Sequence, residues 1–148
     1  KLTVRGVTDK PGITHRIHGN IAAANVNVDM IVQNVGADGS TDFTFTVHRG
    51  DYRKALETLQ KTAGQLAARE VTGDDKIAKI SVVGVGMRSH AGIASQMFKT
   101  LADEGINIQM ISTSEIKISV VVEEKYLELA VRTLHSSFGL DKPAVPAR

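Results

Sequence analysis

The chain is written twice, and this repetition limits its possible folds more than any other feature. Shifted by eighty positions, "GITHRIHGNIAAANVNVDMIVQN" lies over "GIASQMFKTLADEGINIQMISTS" without a gap. Gly12 meets Gly92, Ile17 meets Met97, Ile21 meets Leu101, Asn27 meets Asn107 and Met30 meets Met110. After a loop five residues longer in the first copy, "FTFTVHRGDYRKALETL" matches "ISVVVEEKYLELAVRTL" at a shift of seventy-five. Upstream, "KLTVRGV" matches "KISVVGV". A unit of about seventy residues has been duplicated in tandem, which predicts two domains, 1–74 and 75–148.

Each copy reads β-α-β-β-α. Residues 2–7 and 80–85 alternate as strands do, and Ile13, Ile17, Ile21 and Ala24 recur at helical spacing, as do Ile93, Met97 and Leu101. The next segment has period two. Val26, Val28, Met30 and Val32 are predicted to face one way, with Asn27, Asp29 and Gln33 facing the other. In the second copy Ile106, Ile108 and Met110 take the helix side. "GADGSTD" is turn chemistry leading to a strand at 43–47, and the last helices are expected over 52–63 and 125–137. "AAREVTGD" supplies a sixth strand for the first copy. The second copy ends in "FGLDKPAVPAR", whose prolines make a poor strand, so its sixth strand is expected from another segment or chain. The predicted fold class is α+β: two tandem ferredoxin-like βαββαβ domains, each with one sheet face under helices, pairing through their sheets.

Composition narrows the function classes. Hydrophobic content of 42% with 23% charged residues is ordinary for a globular protein. A net charge of +2 is too small to argue for a nucleic-acid or membrane footprint, although the pI near 9.0 keeps that option open, and no apolar run reaches the length of a membrane span. The absence of cysteine excludes disulfides and thiolate metal sites and suggests the cytoplasm. The first residue is Lys1, as expected of a fragment or a trimmed subunit.

The chemistry-bearing positions cluster at the first strand-to-helix turn, "GVTDKPGI" in one copy and "GVGMRSHAGI" in the other. Asp9 is a candidate N-cap, Pro11 suits a first helical turn, and Gly12 lets a ligand approach the backbone. In the second copy Ser89 or His90 takes the cap and Gly92 repeats the opening. Free amides at a helix start suit a carboxylate, whereas plain helix capping explains the same residues without a ligand. Asn27 and Asn107, on the following strand, offer both donor and acceptor, and Asp29 adds an acceptor for an ammonium group. Gln33, Asn34, Thr113, Ser114 and Glu115 end those strands with further polar groups, between a hairpin turn and the floor of a site. No nucleophile, acid–base pair, P-loop or metal spacing is present, so no catalytic residue and no metal ligand is assigned.

"DKPG", "NVDMIVQN", "TDFTFTV", "VGVGMRSHAGIASQMFKTLADEGINIQMISTSEIKISVVV" and "AVRTLH" together resemble the regulatory region of aspartate kinase, which carries two ACT domains. The resemblance spans the whole chain and is similar to the small subunit of the α2β2 bacterial enzymes. It implies feedback regulation by threonine and lysine, with effector sites between ACT domains of paired chains. The threonine site would use Asp9, Gly12, Thr14, Val26 and Gln33, with Asn107 and Ile108 from a partner's second domain. The pseudo-equivalent site would use Met87, Ser89, His90, Gly92, Ile93 and Ala94, with Asn27, Val28 and Asp29 opposite. Asp29 stands where the second copy has Gln109, which implies lysine at the second site. The family's small or acidic residues after "DKPG" are replaced here by Ile13, Thr14 and His15. The kinase domain is absent from the sequence, so the resemblance implies a homodimer working with a catalytic subunit or domain, without cofactor or phosphotransfer of its own.

Two other classes fit the same fold. A generic ACT-type small-molecule sensor or assembly domain would need no kinase. An RNA-binding module would stack bases on Phe43 and Phe45, but the second copy has Ile118 and Val120 there, and aromatics total only 4%.

Overall fold

The computed structural model describes residues 1–84 and 90–141, and the chain divides into two compact units, Lys1–Asp75 and Lys76–Arg148. In the first unit β1 (Leu2–Thr8) is followed by α1 (Ile13–Ala23), β2 (Val28–Val35), β3 (Ser40–Val47), α2 (Tyr52–Gln65) and β4 (Glu70–Gly73). The sheet order is β2-β3-β1-β4, antiparallel throughout, which is the ferredoxin-like arrangement. The second unit repeats it with β5 (Ile77–Val83), α3 (His90–Asp103), β6 (Met110–Thr113), β7 (Lys117–Glu123) and α4 (Leu127–Ser137). Its described strands run β5-β7-β6, so the fourth strand present in the first unit has no counterpart among the described residues. The chain thus contains two repeats of one plan. A short 3-10 turn leads into each second helix, over Arg49–Asp51 and Glu124–Tyr126, so α4 starts later than its apolar spacing predicts.

The duplicated sequence produces duplicated cores. Leu2, Ile17, Ile21, Val26, Phe43, Phe45, Ala55 and Leu59 are buried in one cluster. Their counterparts Ile80, Met97, Leu101, Ile106, Ile118, Val120, Ala130 and Leu134 form the other. Ala55 and Leu59, like Ala130 and Leu134, sit four apart so that each second helix turns one stripe to the sheet. Each fully buried Leu, Ile or Phe contributes about 1.5–3 kcal/mol relative to exposure.

The second strand departs from strict alternation, and a β-bulge is the reason. Val28 pairs with Val47, but the next registered pair is Met30 with Thr46, leaving Asp29 as the extra residue. Val47 and Phe45 both belong to the helix-side core, so Thr46 between them, and Met30 opposite it, lie on the other face. Met30 therefore does not share the face of Val26 and Val28, which strict alternation expected. The expected helix-side place for Met110 is likewise corrected, since it pairs with Val121, a residue flanked by the core residues Val120 and Val122. Ile106 and Ile108 do pack under the helices as expected. A hydroxyl pair is repeated on the face away from the helices: Thr3 and Thr44 Oγ1 are 3.3 Å apart, and Ser81 and Ser119 Oγ are 2.7 Å apart. Between the helices, Asn20 Nδ2 donates to Thr62 Oγ1 at 2.9 Å. Thr100 and Ser137, their counterparts, make the same link at 2.9 Å.

Candidate functional site

In the first unit β1 runs out beside β3, with Val7 opposite Thr41 and Thr8 opposite Ser40. The Asp9 amide then donates to the Gly39 carbonyl at 3.0 Å, which ties the departing chain to the β2–β3 hairpin. Asp9 is not the N-cap. Gly12 holds that position with φ +89°, and no side chain caps the helix. The left-handed backbone there is what requires glycine, since no atom lies within 4 Å of where a Cβ would stand. Pro11 sits in the turn ahead of the helix and not in its first turn.

The Ile13 amide donates to the Lys10 carbonyl, and Arg16 makes the first full helical bond to Gly12. The amides of Thr14 and His15 fall between these two, at the positive end of an eleven-residue helix. Ile13 turns inward against the core, while Asp9, Gly12 and Thr14 are exposed.

Gln33 belongs to the same end of the sheet. It pairs with the core residue Phe43 and so lies on the face that carries α1. Its Nε2 donates to Thr41 Oγ1 at 3.2 Å. The hairpin above is set by Asp38, whose Oδ1 accepts from the Ser40 hydroxyl at 2.6 Å and the Ser40 amide at 3.0 Å. The Ser40 hydroxyl is the main reason the Asp38 carboxyl is held below its usual range.

The remaining predicted residues of the first copy lie at the other end of β2. Val26 is buried in the core, Val28 is half-buried against it, and Asn27 and Asp29 are exposed. From Val28 to Gln33 is five residues, about 16 Å along a strand. Within this unit the turn and Gln33 are together, and Val26 through Asp29 are apart from them.

The second unit has the same division. His90 is the first residue of α3, so Gly92 is its third residue rather than the opening glycine expected from the repeat. Ile93 and Ala94 pack on the second core, and Met87 and Ser89 lie outside the described residues. Asn107 is exposed and Ile108 half-buried just ahead of β6. The polar run after them is part strand and part turn. Ser112 and Thr113 pair with Ser119 and Ile118, and the Ser114 amide closes the turn on the Lys117 carbonyl.

Among the described residues no cluster of His, Asp or Glu is placed to hold a metal, and no helix is long and apolar enough to cross a membrane. Thr41 was not singled out by the repeat, because the second copy has Ile116 there. Only its burial and its hydrogen bonds bring it into the site.

Comparison with known proteins gives this arrangement a family. The ACT domain family matches residues 2–62 and 80–138. The chain is 69% identical to the aspartokinase of Pseudomonas aeruginosa over 144 residues, which is 97% of this chain but only 35% of that protein. A crystal structure of aspartokinase alpha and beta subunits matches at 57% identity and TM-score 0.85, covering 93% of this chain and 90% of that one. The ligand-free regulatory subunit of aspartate kinase from Thermus thermophilus matches at 36% identity and TM-score 0.86, with the same coverage. The repeated unit, its strand order and these likenesses establish that the chain belongs to the ACT-domain regulatory region of aspartate kinases.

Proposed function

We propose that this chain senses threonine and lysine for a cytoplasmic aspartate kinase and imposes feedback inhibition on it. One observation supports the reading most: a helix start without a side-chain cap shares one sheet end with an exposed glutamine. An α-amino acid needs donors for its carboxylate and acceptors for its ammonium group, and those two features offer both. Threonine is assigned to Asp9, Gly12, Thr14 and Gln33, completed by Asn107 and Ile108 of a second copy, while Val26, buried in the core at the other end of β2, drops out of the expected set. Lysine is assigned to Met87, Ser89, His90, Gly92, Ile93 and Ala94, with Asn27, Val28 and Asp29 opposite, where the Asp29 carboxylate answers the ε-ammonium.

In this reading the chain works as a homodimer bound to a catalytic subunit or kinase domain, which alone transfers the phosphoryl group to aspartate. Effector binding favours one arrangement of the paired domains, with a coupling of about 1–3 kcal/mol, and ligands of the kinase domain weaken effector binding by the same factor. A thermal-melting panel of the common amino acids tests it. Threonine and lysine at a hundred times their Kd should each add about 2.7 kcal/mol. Asp9→Asn should remove the threonine response and Asp29→Asn the lysine response, each sparing the other. A panel in which neither amino acid shifts the melting would refute the assignment.

A further inference from the structure

Thr41 is wholly buried, yet it makes two hydrogen bonds that between them decide which way a neighbouring side chain points. Its hydroxyl donates to the Asn34 carbonyl at 3.1 Å. A hydroxyl has one proton, so with that proton committed, Oγ1 can only accept. The group facing it from Gln33 must therefore be the amide nitrogen, at 3.2 Å. The Gln33 carbonyl oxygen, on the other arm of the same planar amide, is turned away from Thr41. The register places this pair next to the Asp9–Gly12 turn, on the helix-side face.

We propose that Thr41 is a positioning residue of the amino-acid effector site: it fixes the Gln33 amide so that an acceptor faces the ligand's ammonium group. The proposal rests on the effector-site reading above and deepens it. It also separates the two copies. Thr113 stands at the place of Gln33, paired with Ile118 as Gln33 is with Phe43, and Ile116 stands at the place of Thr41. The second copy has neither the amide nor the hydroxyl that would aim it, so the oriented acceptor belongs to the first copy alone.

The test is titration of the 148-residue chain with L-threonine, read by calorimetry and by melting shift. Thr41→Val keeps the shape and removes the hydroxyl. It should weaken threonine binding about five- to tenfold, the worth of one lost hydrogen bond, and Thr41→Ser should restore it. In a Gln33→Ala background, Thr41→Val should cause no further loss, because the hydroxyl acts only through the glutamine. A Thr41→Val effect that persists in that background would mean packing alone, and it would overturn the proposal. So would undiminished threonine binding by Thr41→Val. If Thr41→Val does not fold, Gln33→Glu decides. It keeps an acceptor but loses the N–H that anchors it, so weaker binding supports the positioning role and equal or tighter binding overturns it. Absence of any amino-acid response in the wild type would instead remove the effector-site reading itself.

Discussion

Asp38 is fully exposed, yet it organises the hairpin that receives the Asp9 amide, because its carboxylate accepts from both the hydroxyl and the amide of Ser40. The Ser40 hydroxyl contributes most to lowering its pKa, followed by the Ser40 amide. Since the folded pKa is depressed, the stabilisation is present above the ordinary carboxylate value and is lost as pH falls through the lower folded value. Ser40→Ala should raise the Asp38 midpoint toward that ordinary value in an NMR titration. An unchanged midpoint would deny the hydroxyl its part. Single residues were also where the sequence was least legible. Asp9 resembled an N-cap, but the left-handed backbone at Gly12 carries the chain into α1 and leaves Asp9 in the turn. Thr41 resembled any strand threonine, because a hydrogen bond to Gln33 eight residues away leaves no trace in spacing.

At the scale of elements, periodicity and duplication made most of the architecture legible. The helix stripes at Ile17 and Ile21, and at Met97 and Leu101, are buried as their spacing predicts. The last strand expected for the first copy forms as β4 at Glu70–Gly73, within "AAREVTGD". Alternation failed at Met110 and at the bulge in β2, where a single extra residue reverses the face of every residue from Met30 to the end of the strand. The helices carry a further device that pattern alone does not reveal. Asn20 is linked to Thr62, whose hydroxyl donates onward to the Thr58 carbonyl at 2.9 Å. Asn20→Ala and Thr62→Val should each cost about 1 kcal/mol in urea unfolding. The double variant should cost clearly less than their sum, because both remove one bond. Full additivity would show that the two side chains do not act together.

At the scale of the whole molecule, one folding plan has been used twice with different polar trimmings. The apolar positions match pair for pair: Phe43 and Phe45 against Ile118 and Val120, Leu59 against Leu134. The groups a ligand would read do not match. Asp29 answers to Gln109, Gln33 to Thr113 and Thr41 to Ile116. Shared apolar residues hold two cores built on one plan, while the polar residues at these positions differ between the copies.

The placement of the methionines makes them a ready set of spectroscopic reporters. Met97 is fully enclosed between helix and sheet, whereas Met30 and Met110, at 7% and 8% exposure, lie on the opposite sheet face. Labelled at their ε-methyls, Met30 and Met110 would register events at that face in the first and second copies separately. Met97 would report only whether the second core stays closed.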